Sequence, residues 1–301
     1  MRMLSMEELA SVVALARRQN FRAAARDVGA SPTVLSQRIA ASESKLGVRL
    51  FNRTTRSVSL TTAGSQFVAE IEPALDAVAH AVDTVNQHRA RPAGKLRINS
   101  SVGAARRVLK TLVVEFSRRY PEIEIDLVTE DRPIDIVAEG FDAGIRPGDA
   151  VPKDMVALRL EPDQRFSIVG TPEYLAEMSA PKVPDELMSH RCIRSRMPSG
   201  EIDRWEFLVN GQIQRMEVPG MVTLDDAGLM LEASLAGIGL AYLADWWTQT
   251  ARDEGRLIGM LGEFIPTSAG LALYYPSRRH QSAALQALTA FIGDHRRAAL
   301  Q

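Results

Sequence analysis

The chain has 301 residues, 46% of them apolar and 24% charged, the profile of an ordinary globular protein with room for two domains and a small third. Its first residues lack the apolar core of a secretory leader, no apolar run approaches the ~18 residues of a membrane span, and its one cysteine, Cys192, excludes an internal disulfide, so the expected setting is the reducing cytoplasm. The net charge of −1 hides an asymmetry: residues 1–62 hold ten Lys/Arg against four Asp/Glu, so this segment alone suits a polyanion.

Ser5 and Glu8 have the spacing of a capping box, and Leu9, Val12, Val13 and Ala16 follow at helical spacing, predicting a helix over 6–18. Asn20 suits the cap of a second helix carrying Ala23, Ala24 and Val28, which Gly29 ends. After Gly29-Ala30-Ser31, Ser31 caps a third helix and Pro32 takes its first position, where a missing N–H costs nothing. Two short helices joined by a glycine turn form a helix-turn-helix. On the third helix Leu35, Ile39 and Leu46 share an inward stripe. Thr33, Ser36, Gln37 and Ala40 form a short, uncharged face that reaches base edges in a major groove without a bulky charge in the way. The plainer alternative is a three-helix packing unit with an idle surface. Residues 48–64, VRLFNRTTRSVSLTTAG, then alternate around a turn rich in Thr, Arg and Ser. This predicts a small hairpin with Arg53 and Arg56 near its tip, placed to pair with phosphates.

Thr61 can cap a long helix over 62–88, about 40 Å at 1.5 Å per residue. Phe67, Ile71, Leu75, Val78, Val82 and Val85 give it a narrow apolar seam of coiled-coil type, and Pro73 is expected to kink or split it. RARPAGK, 89–95, is a linker broken by Pro92 and Gly94. Strand and helix signals then alternate. Strands are expected at 96–99, 123–129, 143–145, 166–169, 238–243 and 271–275, with a hairpin of 205–209 and 212–218 around Asn210-Gly211. Helices are expected at 103–119, 134–139, 172–178, from Asp225 or Asp226 to 236, and at 283–295. The pattern is that of two α/β lobes.

The stretch NFRAAARDVGASPTVLSQRI, with LGVRLFNRTTRSVSLTTAG after it, closely resembles the winged helix-turn-helix of LysR-type transcriptional regulators. The fragments GKLRIN, GFDAGIRPG and LDDAGLMLEASLAGIGLAYL extend the resemblance along the chain, and VPKDM and LYYPSRR point to one branch of the family. The resemblance implies an α plus α/β architecture. A winged helix-turn-helix DNA-binding domain spans 1–62, a linker and dimerisation helix 63–89, and a hinge 90–95. A two-lobed α/β effector-binding domain like the type 2 periplasmic binding proteins spans 96–301. Its lobe I would comprise 96–163 and 269–301, and its lobe II 164–268. Base reading falls on Pro32, Thr33, Ser36 and Gln37, and phosphate contact on Arg53 and Arg56. The partners implied are double-stranded DNA at an interrupted dyad, a small-molecule effector, and further copies of the chain as a dimer or tetramer. Contact with the transcription machinery is compatible with that role; a membrane and a cofactor are not implied. One departure from the family is Ser42, where a leucine is usual; it loses roughly 1.5–3 kcal/mol of burial, and its hydroxyl can bond back to the carbonyl one turn earlier.

In such a fold, ligands sit at strand ends between the lobes. Ser100 and Ser101 end the first strand and begin a helix whose free N–H groups suit a carboxylate, and Arg146 follows the third strand. Arg196, in RSRMPSG, and Thr223, before a helix start, are further candidates. The bland alternatives are helix capping for the serines and surface salt bridges for the arginines. Together these donors point to a small organic anion, an aromatic or short-chain acid. Catalytic patterns are missing: His80, His88, His190, His280 and His295 show no metal spacing with one another or with Cys192. Gly237-Ile238-Gly239 has two glycines of a dinucleotide fingerprint, but Tyr242 stands in the third place, and neither a GxSxG elbow nor a P-loop occurs. The expectation is a ligand-responsive DNA-binding regulator, not an enzyme. The competing reading is an enzyme or solute-binding module whose N-terminal helices serve assembly.

Overall fold

The structure, a computed structural model, describes residues 3–53, 57–87, 92–277 and 281–298. The chain divides into two compact units, Met1–Gly94 with His280–Gln286, and Lys95–Arg279 with Ala287–Gln301. In the first unit, α1 (Met6–Arg18), α2 (Phe21–Asp27) and α3 (Pro32–Leu46) are followed by the strands β1 (Phe51–Arg53) and β2 (Val58–Leu60) and by α4 (Thr62–Gln87). Each start is fixed locally. The Ser5 backbone N–H donates to Glu8 Oε2 at 2.7 Å while Glu8 N–H donates to Ser5 Oγ at 3.2 Å. Asn20 Oδ1 accepts from the N–H groups of Arg22 and Ala23, and Ser31 Oγ from that of Val34. Gly29 turns the chain at φ 61°, a left-handed conformation that costs a residue with a Cβ more than glycine. Val12, Leu15, Ala24, Leu35, Ile39, Leu50 and Phe51 close the core, joined by Val68 of α4. Each fully buried aliphatic side chain contributes about 1.5–3 kcal/mol.

Ser42 sits in this core with no exposure, and its hydroxyl donates to Arg38 O at 2.9 Å, one turn back. A leucine there would add apolar burial and remove the bond to a carbonyl that already serves the helix. Ser42→Leu is therefore expected to raise the melting temperature of this domain by several degrees, since ~1 kcal/mol moves a domain of this size about 4–8 °C. A drop in a calorimetric scan would mean that the serine fills its site and leucine overpacks it.

The long helix begins where Thr61 Oγ1 accepts from Gly64 N–H at 2.9 Å. Pro73 neither splits nor ends it: α4 runs unbroken from Thr62 to Gln87. The carbonyl that Pro73 deprives of a partner belongs to Ala69, and both residues are exposed, so that carbonyl is open to solvent and is not left buried without a donor. Phe67 packs on the core, Ile71 and Leu75 are half-buried, and Val78 is 48% exposed. The side chains of Val82 and Val85 lie outside the described residues, as do residues 90 and 91 of the expected hinge. The rest of that linker is shorter than expected, because β3 already begins at Gly94.

The second unit carries two five-stranded sheets. Lobe I contains β3 (Gly94–Ser100), β4 (Ile123–Thr129), β5 (Ala143–Pro147) and β6 (Met155–Arg159). Lobe II contains β7 (Phe166–Gly170), β8 (Cys192–Ser195), β9 (Trp205–Val209), β10 (Gln212–Met216), β11 (Val222–Leu224), β12 (Leu240–Ala244) and β13 (Ile258–Met260). The chain then returns through β14 (Leu271–Pro276), so that lobe I reads β4-β3-β5-β14-β6 and lobe II β11-β8-β12-β7-β13. β3 and β5 are parallel, β14 is antiparallel to β5 and β6, and β9 and β10 form a separate hairpin turned by Asn210 and Gly211 at positive φ. The two segments that cross between lobes meet at Gln164 and Ser268, which exchange both backbone hydrogen bonds at 2.9 Å.

Helices cover these sheets: α5 (Val102–Val108), α6 (Val114–Arg119), α7 (Pro172–Met178), α8 (Ala227–Leu235), α9 (Asp245–Asp253) and α10 (Ala283–Ala298). The helix expected over 103–119 is two helices separated by a π turn at Leu109–Val113, which inserts a residue without leaving helical backbone. The helix expected over 134–139 is a turn: Asp135 Oδ1 takes the N–H groups of Val137 and Ala138, and Gly140 at φ 71° stops the chain after one turn. No helix of the described residues is long and apolar enough to cross a membrane.

Candidate functional site

Two surfaces hold the residues singled out above. On α3, Pro32, Thr33, Gln37 and Ala40 are exposed and Ser36 is half-buried, while Leu35 and Ile39 are fully buried on the opposite stripe. Thr33, Ser36 and Gln37 make no side-chain hydrogen bond among the described residues, so their polar atoms are free for an external partner. The hairpin is tied to the same helix by Glu43. Its Oε1 accepts from the N–H groups of Leu50 (2.9 Å) and Phe51 (3.1 Å), and its Oε2 pairs with Arg53 at 2.8 Å. Arg53 also lies over the Phe21 ring at 5.5 Å, so this arginine is positioned by protein groups on two sides. Arg56 lies outside the described residues. Arg22, Arg26 and Arg49 are exposed on the same unit and have no acidic partner among the described residues; the sequence alone gave no reason to separate them from other arginines.

In the second unit, a cavity of about 860 Å³ opens between lobe I and lobe II. Arg146 lies on its wall, carried by β5, and is only 8% exposed. Its Nη1 donates to Ile145 O at 3.0 Å, and its Nη2 to Asn99 Oδ1 and Glu130 O, both at 2.7 Å. All three acceptors are neutral, and no carboxylate of the described residues is within ion-pair distance. Burial lowers the pKa of this guanidinium, yet an arginine stays protonated in proteins. It is therefore a buried cation with no carboxylate in contact, drawn only at longer range to Asp131 and Glu130, an arrangement that a negative group docked against it would complete. Beside it, Asn99 is fully buried and its Nδ2 has no acceptor.

Of the other candidates, Ser101 and Arg196 line the cavity; Ser100 and Thr223 do not. Ser100 is fully buried in β3 with its hydroxyl donating to Ser101 O at 3.1 Å. Thr223 sits in β11, paired with Arg194 at the edge of its sheet. Ser101 caps α5 through Ala104 N–H at 3.2 Å, and Asp131 Oδ1 accepts from Val102 N–H at 3.0 Å. The helix start expected to hold a carboxylate is thus largely satisfied by the protein's own oxygens. Arg196 donates to Gly200 O at 2.9 Å.

The aromatic lining was not anticipated. Phe166 stacks on Tyr242 (5.1 Å), and Trp246 on Trp247 (4.5 Å). The tryptophans open α9, which is held to β7 by hydrogen bonds from Ser167 to Asp245 and from Arg252 to Ser167 (2.9 Å). From lobe I, Arg106 and Arg107 lie over Trp247 (5.5 Å) and Trp246 (5.8 Å). Tyr274 completes the wall beside Arg146. Its ring crosses Gly144 so closely that a Cβ there would stand 2.4 Å from two ring carbons. Gly144→Ala is expected to destabilise the second unit by about 1–3 kcal/mol through overpacking. Calorimetry showing an unaltered transition would mean that the ring moves aside freely. Cys192 is buried, and burial pushes its thiol up to about 12, so it is not a thiolate at neutral pH.

Residues 6–65 match the bacterial regulatory helix-turn-helix protein, lysR family, and residues 89–297 match the LysR substrate binding domain. The chain is similar to the HTH-type transcriptional regulator YcaN of Escherichia coli (strain K12), 40% identical over 289 residues that cover 96% of this chain and 95% of that one. It is similar to the HTH-type transcriptional regulator PgrR of the same strain, 36% identical over 278 residues, 92% and 93% of the two chains. Among solved structures it is similar to CrgA, a LysR-type transcriptional regulator from Neisseria meningitidis, with a TM-score of 0.61 and 27% identity over 97% of this chain and 99% of that one.

Proposed function

The chain belongs to the LysR family of transcriptional regulators, and from that premise we propose that it binds specific DNA sequences and answers to a small organic anion held between its lobes. Arg146 carries the effector half of this reading: a nine-tenths buried guanidinium, held by neutral acceptors, faces a cavity of ligand size. Carboxylate is the chemistry that a planar fork of donors recognises best. Residues 1–62 would read DNA, 63–89 join two copies, 90–95 act as the hinge, and 96–301 sense the effector.

Pro32, Thr33, Ser36 and Gln37 meet base edges in the first turns of α3, and Arg53 and Arg56 meet phosphates, with Arg22 and Arg49 as further phosphate contacts. Two copies paired along Ile71, Leu75 and Val78 place two such helices on one face of an interrupted dyad. The protein acts on the chromosome in the cytoplasm as a dimer or tetramer, and effector binding shifts the balance between lobe arrangements. Heparin chromatography tests the first half. The whole chain is expected to be retained at low salt and released as salt rises, because bound cations displace counterions. A chain lacking residues 1–62 is expected to flow through; equal retention would place the polyanion site elsewhere.

A further inference from the structure

The cavity is not uniformly basic, and its two walls differ in charge. Lobe I supplies Arg146 together with Arg132 and Asp131. Arg132 is paired with Glu130 at 3.0 Å, and Asp131 is engaged at the start of α5, which leaves Arg146 as the lining cation of this lobe with no carboxylate in contact. Lobe II supplies Asp203, Asp225, Asp226 and Arg196. Asp226 caps α8 through Leu229 N–H at 2.9 Å, and Arg196 is turned to Gly200 O. Neither Asp203 nor Asp225 makes a salt bridge among the described residues; Asp203 feels Arg215 only at longer range, a cation already paired with Glu206 at 2.9 Å. Burial, reinforced by Glu206 and opposed by a backbone hydrogen bond from Arg204 and by Arg215, pushes the Asp203 carboxyl upward, so an added cation would favour its charged form. Lobe II also lines the cavity with Phe166, Tyr242, Trp246 and Trp247.

A plain monoanion satisfies Arg146 and is repelled by the opposite wall. A plain amine does the reverse. We propose that the cleft takes a zwitterion with an aromatic body, its carboxylate on Arg146 and its protonated amine toward Asp203 and Asp225. This rests on the anion reading above and adds the second charge. The aromatic lining suits the aromatic body, and the carboxylates of the same lobe suit the ammonium.

The test uses three probes on one scaffold, phenylalanine, 3-phenylpropionate and phenethylamine, titrated into the full-length protein in a calorimeter. Phenylalanine is expected to bind about tenfold or more tightly than either relative. Asp203→Asn with Asp225→Asn should bring phenylalanine and 3-phenylpropionate to near equality, and Arg146→Ala should weaken both. Asp225→Asn alone, at an exposed position, guards against misfolding at Asp203 and should give a partial loss of preference. If 3-phenylpropionate equals or exceeds phenylalanine on the wild type, the zwitterion is overturned and the anion reading stands. If phenethylamine binds best and Arg146→Ala changes nothing, both fall. Binding of none of the three at millimolar concentration also overturns the zwitterion.

Discussion

Replacing Ser36 and Gln37 together by alanine is expected to erase the protein's footprint on its operator while leaving its fold intact. Neither side chain is engaged within the protein: Gln37 is exposed and Ser36 half-buried, and neither makes a side-chain hydrogen bond among the described residues. Alanine is the best helix former, so α3 loses nothing in its own stability. Each good base contact is worth about 1–3 kcal/mol of discrimination. On the proposed dyad, two residues on each of two helices would make four contacts, so even ~1 kcal/mol each predicts roughly a thousandfold loss. The arginines remain, so nonspecific binding should persist with the same salt slope. The measurement is nuclease protection on the intergenic DNA beside the gene, against random DNA as reference. Unaltered protection of the dyad by the double variant would remove α3 as the reader.

Arg146→Ala is the second large expected effect. Truncating one partner of a buried charge contact costs about 2–5 kcal/mol, or roughly thirty-fold to several thousand-fold in affinity. The substitution removes a buried cation, which favours the unliganded fold, but leaves Asn99 Oδ1 and Glu130 O without their donor, which opposes it. The expected change in melting temperature is therefore small beside the loss of ligand. Arg146→Lys should fail nearly as badly, because one ammonium cannot span three acceptors in a plane and still face the cavity. A thermal-shift panel of organic acids on the wild type selects the ligand, and calorimetry on both variants measures the loss. Equal affinity in Arg146→Ala would end the anion reading, while operator binding by residues 1–62 should be unchanged in every case.

Local signals made the first sixty residues legible. Ser5, Asn20, Ser31 and Thr61 each fix a helix start through a bond to a backbone N–H two or three residues away, and such bonds are written in adjacent letters. The cleft is different, because its walls are assembled from strand ends far apart in the chain. Ser100 and Ser101 show the limit well. Neighbouring positions at a strand end cannot both face the ligand, and only packing decided that Ser100 turned inward. Trp246 and Trp247 were missed because α9 is a nine-residue, mostly polar helix with few apolar letters to announce it, and β8, β11 and β13 are too short to show alternation. Pro73 was expected to kink or split α4, and the split did not occur: on an exposed helix face the carbonyl that loses its partner is open to solvent.

The crossing between lobes has a mechanical consequence. Gln164 and Ser268 join the two connecting segments into a two-stranded ribbon through a reciprocal pair of hydrogen bonds. Such a ribbon flexes across its flat face at little cost, since flexing leaves both bonds in place. Sliding one strand along the other would break both at once. This bridge thus favours a swing of the lobes over a slip, like the covers of a book on its spine. Whatever docks against Arg146 when the book is open will meet the same residues of the facing page each time it shuts.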